Sequence, residues 1–224
     1  MPAWLFFAWC AGMRGPINEP AWVPCLQNKI LEAQSYADFK KALLDSNCTK
    51  CALSKSRTQI VVDRGNPAAK VLMIGEAPGA NEDLQGKAFV GRAGRLLDEM
   101  LKGVGFNTEK DGLIANVVKC RPPENRQPKP EEAACCFPFL KKQIELVRPR
   151  FVLLLGAVAL RHLFPSKKDF SMKDEVGRFF EHVEFPGMRL MVLYHPAYIL
   201  RDPRKRPEME THLKRFKDAW ATVI

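Results

Sequence analysis

The chain has 224 residues, 46% of them hydrophobic, which is enough apolar material for one full core. Lysine and arginine (35) outnumber aspartate and glutamate (25), and the net charge of +10 favours polyanionic partners such as nucleic acid. No apolar run approaches the roughly eighteen residues of a membrane span, and no repeat of about 20–50 residues is visible, so membrane-spanning and solenoid classes are excluded. Residues 1–27 contain the apolar stretch MPAWLFFAWCAGM, yet no basic residue precedes it, so it does not read as a signal peptide. It reads as a disordered or loosely packed extension, with Cys10 and Cys25 as bystanders, and residues 28–224 form the domain.

The domain opens on helical spacing from Lys29 to Leu44, through Ile30, Leu31, Tyr36, Phe39 and Leu43. Cys48-Thr-Lys-Cys51 follows, then Arg57–Val62 and a turn at Arg64-Gly-Asn-Pro67. Val71–Ile74 has the length and composition of a buried strand. Gly75–Gly79 (GEAPG) turns sharply after it, and an acidic cluster, Glu82 and Asp83, sits in the loop, with Asp83 expected to face solvent or cap. Ala93–Val104 is the next helix. Strand Gly112–Val118 carries Asn116, whose amide is either bonded within the core or aimed into a pocket. A Pro-rich loop leads to helix Lys129–Val147, strand Phe151–Leu155, helix Ala157–Phe164 and a polar loop, Pro165–Gly177. Strands Arg178–Phe185 and Arg189–Tyr194 follow, the second delivering His195, and Pro207–Ile224 is a closing amphipathic helix. Strands alternating with helices imply an α/β fold with a mostly parallel sheet covered on both faces.

The glycine-rich loop is neither a Walker phosphate cradle nor a dinucleotide fingerprint. Gly79 lies too far from Gly86-Lys87, Ala88 offers no hydroxyl, and no G-x-G-x-x-G follows the strand. No nucleotide cofactor is expected. A Glu, an Asp and a Phe among so many glycines point to a binding site. The C-x-x-C pair is open between zinc, an iron–sulfur cluster, a redox disulfide and chance. Its partners, Cys120 and Cys136, are sixteen positions apart, wider than a zinc ribbon uses.

Four ordered segments, GEAPGANED, GKAFVGRAGRLL, NVVKCRPPENRQPKPEE and YHPAYILR, resemble the family-four uracil-DNA glycosylases, the iron–sulfur type, from about Asn47 to the C-terminus. Ala88 departs from the proline usual there. The resemblance implies a three-layer α/β/α sandwich and monofunctional hydrolysis of the glycosidic bond of deoxyuridine in DNA during base-excision repair. It implies a structural [4Fe–4S] cluster on Cys48, Cys51, Cys120 and Cys136, with Cys135 leaving the register ambiguous. His195 corresponds to the donor to uracil O2. Phe89 is the candidate to stack on the base, and Asn116 can pair with O4 and N3–H together, which cytosine's edge does not allow. Glu76 leads Glu82 as the group that positions water or stabilises the sugar cation, with the backbone of Ala77 assisting. Tyr198, Leu200 and Arg201, with Arg204, Lys205 and Arg206, form the expected DNA-facing loop, an apolar tip flanked by cations. The partner is uracil-containing DNA, single- or double-stranded. The protein is expected to be a monomer, cytoplasmic and nucleoid-associated, without membrane contact. The rivals are a non-catalytic or covalently abasic-site-binding module of the same fold and a redox-sensing regulator.

Overall fold

The computed structural model describes residues 29–165, 167 and 169–222. The proposed extension, residues 1–27, lies outside them. Six strands form one sheet: β1 (Arg64–Gly65), β2 (Val71–Gly75), β3 (Gly112–Asn116), β4 (Phe151–Leu155), β5 (Phe179–His182) and β6 (Phe185–Leu193). Their order is β1-β3-β2-β4-β6-β5. The inner neighbours β3, β2, β4 and β6 run parallel, and β1 and β5 close the two edges antiparallel. Every residue of β2, β3 and β4 is buried, as continuous apolar runs require of strands covered on both faces.

Besides a helical stretch at residues 29–32, these helices pack around the sheet: α1 (Tyr36–Asp45), α2 (Ala80–Gln85), α3 (Arg92–Gly103), α4 (Thr108–Asp111), α5 (Pro130–Val147), α6 (Ala157–Leu163), α7 (Met172–Glu175), α8 (Pro196–Arg201) and α9 (Arg206–Ala221). The result is the α/β sandwich that the alternation of elements implies. None of the described helices is long and apolar enough to cross a membrane.

Several boundaries differ from the sequence reading, each for a local reason. The helix expected over Lys29–Leu44 is interrupted, because Ser35 is extended and its hydroxyl accepts from Asp38 N at 3.1 Å, starting α1 afresh at Tyr36. The acidic loop is helical: α2 is closed at its start by Glu82, whose carboxylate reaches back to Gly79 N. Asp83 does not face solvent. It is buried and accepts from Thr58 N at 2.9 Å and from Gln59 N at 3.3 Å, pinning the segment that enters the sheet. The polar stretch Pro165–Gly177 holds α7, and the last parallel strand begins at Phe185 instead of Arg189. Strand β3 ends at Asn116, because Val117 N and Val118 N turn to donate to Gly75 O and Glu76 O.

Candidate active site

In parallel sheets, ligands bind beyond the carboxyl ends of the strands. Here those ends deliver Glu76 after β2, Asn116 at the end of β3, Gly156 after β4 and His195 after β6. A cavity of about 850 Å³ opens there, lined among others by Glu76, Ala77, Glu82, Phe89, His195 and Tyr198.

Phe89 and Asn116 meet over Gly75. A Cβ on Gly75 would lie 2.5 Å from the Phe89 ring and 2.6 Å from Asn116 Oδ1, so only glycine allows this approach. The Asn116 side chain is 1% exposed, and neither its Oδ1 nor its Nδ2 has a hydrogen-bond partner. Buried amides are nearly always satisfied, so both atoms call for an external partner. Of the two alternatives open in the sequence, the core-bonded one finds no hydrogen bond to the side chain among the described residues. Asn116 is not itself in the cavity lining; Phe89, from the cavity wall, meets it over Gly75.

The His195 ring stands 5.7 Å from that of Phe89, centroid to centroid. His195 is the N-cap of α8, and its Nδ1 accepts from Ala197 N at 3.1 Å. An imidazole that accepts through Nδ1 carries its proton on Nε2 when neutral. Burial keeps it neutral: desolvation first, and then the Arg201 charge, press its pKa down to about 4. His195 is thus a fixed, uncharged donor.

The two glutamates differ. Glu76 is half-buried on the cavity wall, and burial raises its pKa while Arg201 pulls it back. The Glu82 carboxylate accepts from Gly79 N at 3.1 Å and Gly91 N at 2.6 Å, clamping the GEAPG turn to the segment that follows Phe89. Ala77 is part of the wall. On the expected DNA-facing loop, Leu200 is 40% exposed, and Tyr198 and Arg201 line the cavity. The other cations of that loop are paired: Arg204 with Asp202, Lys205 with Glu208, and Arg206 with Glu99 and Glu210. Such exposed pairs are worth little and exchange readily for phosphate. Part of the lining was missed by sequence reasoning: Asn125, Arg126 and Gln127 from the Pro-rich loop, and Met172 and Lys173 from α7. The only signal for it was Asn-Arg within a proline-rich turn.

A second, small cavity gathers Cys48, Cys51, Cys120, Cys135 and Cys136, with no disulfide among the described cysteines. Two donors point at the sulfurs. Arg57 Nη1 reaches Cys120 Sγ at 3.3 Å, and Lys119 N reaches Cys136 Sγ at 3.3 Å. Burial pushes the thiol of Cys120 up to about 11 and that of Cys136 up to about 12. Among the described residues, no three His, Cys, Asp or Glu side chains are gathered closely enough for a single metal ion. Lys119 lines this second cavity, and its buried Nζ donates to Asn116 O at 2.7 Å and to Gln143 Oε1. From Gln143 the chain continues through Tyr36 to Asp63, a directional run of bonds in which each polarises the next.

The uracil DNA glycosylase superfamily model matches residues 62–223. Among curated proteins, a type-4 uracil-DNA glycosylase of Archaeoglobus fulgidus is 43% identical over 174 residues, 76% of this chain and 86% of its own length. One of Thermotoga maritima is 44% identical over 155 residues, covering 69% and 79%. A type-5 uracil-DNA glycosylase of Pyrobaculum aerophilum is more distant, at 32% over 147 residues, 59% and 63%. Matched over most of its length, with the resembling segments meeting at one strand-end cavity, the chain belongs to the uracil-DNA glycosylase superfamily and, within it, to the type-4 branch.

Proposed function

We propose that the protein hydrolyses the N1–C1′ bond of deoxyuridine in DNA, releasing uracil and leaving an abasic site for base-excision repair. The observation that carries this reading is the buried, unpartnered amide of Asn116 beside an aromatic ring and a fixed neutral donor. The target base lies inside the stack, so it must be flipped out to reach the cavity. Phe89 stacks on it. Asn116 Oδ1 accepts from N3–H while Nδ2 donates to O4, and cytosine fails both contacts. As the N1–C1′ bond breaks, its electron pair moves into the uracil ring, and His195 Nε2–H donates to O2 where the charge collects. Glu76 stabilises the cationic sugar and takes a proton from the water that adds to C1′. Glu82, with both oxygens engaged, holds the loops that place Phe89 and Glu76.

Around the cavity, Tyr198 and Leu200 wedge the stack while Arg201, Arg204, Lys205 and Arg206 contact phosphates, with Arg126 and Lys173 elsewhere in the lining. Every working side chain comes from one chain, so a monomer suffices, and an extruded base is accepted from single- or double-stranded DNA alike. The test is a single-uracil oligonucleotide, treated with protein, then alkali, and sized on a gel beside cytosine and thymine strands. Alkali-dependent cutting at uracil alone is expected. Binding without cutting would leave a non-catalytic DNA-binding module, and a denaturant-resistant protein–DNA band would mean covalent capture.

Cys48, Cys51, Cys120 and Cys136 fit a [4Fe–4S] cluster better than a single ion. One zinc draws its thiolates to about 2.3 Å from a common centre, whereas a cluster puts a separate iron under each sulfur and so suits a wider set. The N–H groups of Arg57 and Lys119 at the sulfurs supply the hydrogen bonds such ligands need. When bound, the cluster would tie together the segment after α1, the loop after β3 and helix α5, and base removal, being a hydrolysis, calls for no electron from it. Cys120→Ser is expected to yield a protein without visible-range absorbance, with under half the wild-type iron and lower solubility. A colourless wild type that is folded and active would remove the cluster.

A further inference from the structure

We propose that Arg64, on the edge strand β1, is the positioning residue that aims the Phe89 ring at the extruded base. The inference rests on the stacking role given to Phe89 above. Phe89 has a φ of 54°, in the left-handed region that a bulky side chain rarely occupies. Such a conformation persists only where the surroundings impose it. Two features impose it here. Gly94 leaves room for the Phe89 carbonyl: a Cβ at that position would lie 1.7 Å from Phe89 O. Arg64 Nη1 then donates to that same carbonyl at 2.8 Å.

The guanidinium is itself held by a carboxylate on α3. Asp98 on α3 takes Nη1 at 3.0 Å and Nη2 at 2.5 Å; Glu109 on α4, largely exposed, lies 3.1 Å from Nε but makes no hydrogen bond to it. Thr108 Oγ1 donates to Asp98 at 2.8 Å, fixing the carboxylate in turn. The Arg64 side chain is only 10% exposed, and its backbone is registered against Ile114 of β3, two residues before Asn116. One planar fork therefore ties the strained carbonyl of the stacking residue to the strand that carries the edge-reading amide. A lysine offers no such fork.

Stacking acts on the bound base before and during bond breaking, so its loss raises KM more than it lowers kcat. Three quantities test this: kcat and KM on the single-uracil oligonucleotide, the inhibition constant of free uracil, and the thermal midpoint. Arg64→Met is expected to raise KM and the uracil inhibition constant about tenfold, with kcat within about threefold. Arg64→Lys is expected to fall between that variant and wild type. Glu109→Gln, which touches the guanidinium but not Phe89, is expected to leave both constants unchanged. In a Phe89→Leu background, Arg64→Met should add no more than about twofold.

Equal losses in both backgrounds, or a lower thermal midpoint with an unchanged uracil inhibition constant, would overturn the proposal. If Arg64→Met does not fold, Arg64→Lys decides on the same readouts. If Phe89→Leu itself leaves the uracil constant unchanged, the stacking role falls and the proposal with it. If Phe89→Leu weakens uracil and neither Arg64 variant does, only the positioning role falls.

Discussion

His195→Ala is expected to lower the rate of uracil release by about 100- to 1,000-fold, with DNA affinity and iron content unchanged, in single-turnover assays on a uracil oligonucleotide. The size follows from the role. A preplaced donor at the atom where charge collects is worth roughly 3–4 kcal/mol in a water-poor site. The imidazole acts as a neutral donor, because its Nδ1 is committed to Ala197 N and its pKa is held at about 4. Its protonation therefore places no limit on the rate until pH nears that value.

If Glu76 acts ionised, as proposed, an acidic limb at higher pH is expected from it, because burial raises its pKa. Activity is expected to be lost as pH falls through that raised value, and Glu76→Gln should remove the limb. The same imidazole makes folding pH-dependent. An unfolded His binds a proton below about 6.5 and the folded one only below about 4, so stability is complete above the former and declines towards the latter. A His195→Ala rate within twofold of wild type would place the donor elsewhere.

Asn116→Leu is expected to act in opposite directions on activity and stability. Uracil cleavage should fall roughly 1,000-fold, since the flipped base would bury N3–H and O4 without partners, each at about 1–3 kcal/mol. The free protein should gain stability, because two buried atoms that now lack partners are replaced by methyl groups on a side chain of the same branching. A gain of about 1 kcal/mol would raise the midpoint of a domain this size by about 2–4 °C, measurable by scanning calorimetry. Loss of activity together with loss of stability would instead make Asn116 a structural amide.

Much of this architecture is legible in the residues. Val71–Ile74 and Phe151–Leu155 are short apolar runs bounded by glycine or polar residues, and strands buried on both faces leave no other pattern. His195 is legible because an apolar strand ends just before a proline. Helix α2 is not, because six residues give too few turns for periodicity and its start is set by Glu82 folding back on Gly79. Nor could sequence decide the state of the Asn116 amide, which depends on what approaches Gly75 from Phe89, fourteen residues on. Arg64 lay in a stretch read as a plain turn. Its link to Phe89 exists only once β1 pairs with β3 and α3 presents Asp98. Asp83 misled for the same reason, since its partners Thr58 and Gln59 precede it by some twenty-five residues.

The delivery of site groups by successive parallel strands has a consequence for how the enzyme comes into being. Glu76, Asn116 and His195 sit at the ends of β2, β3 and β6, and β4 must enter between β2 and β6 before they face one cavity. Contacts between residues so distant in the chain form late and together. During synthesis, His195 emerges last of the three. A chain halted before Arg189 would carry Phe89 and Asn116 but not His195, the proposed donor to the leaving group. Such a fragment could cling to DNA through its charge, yet without the proposed donor it is expected to release bases far more slowly than the finished enzyme.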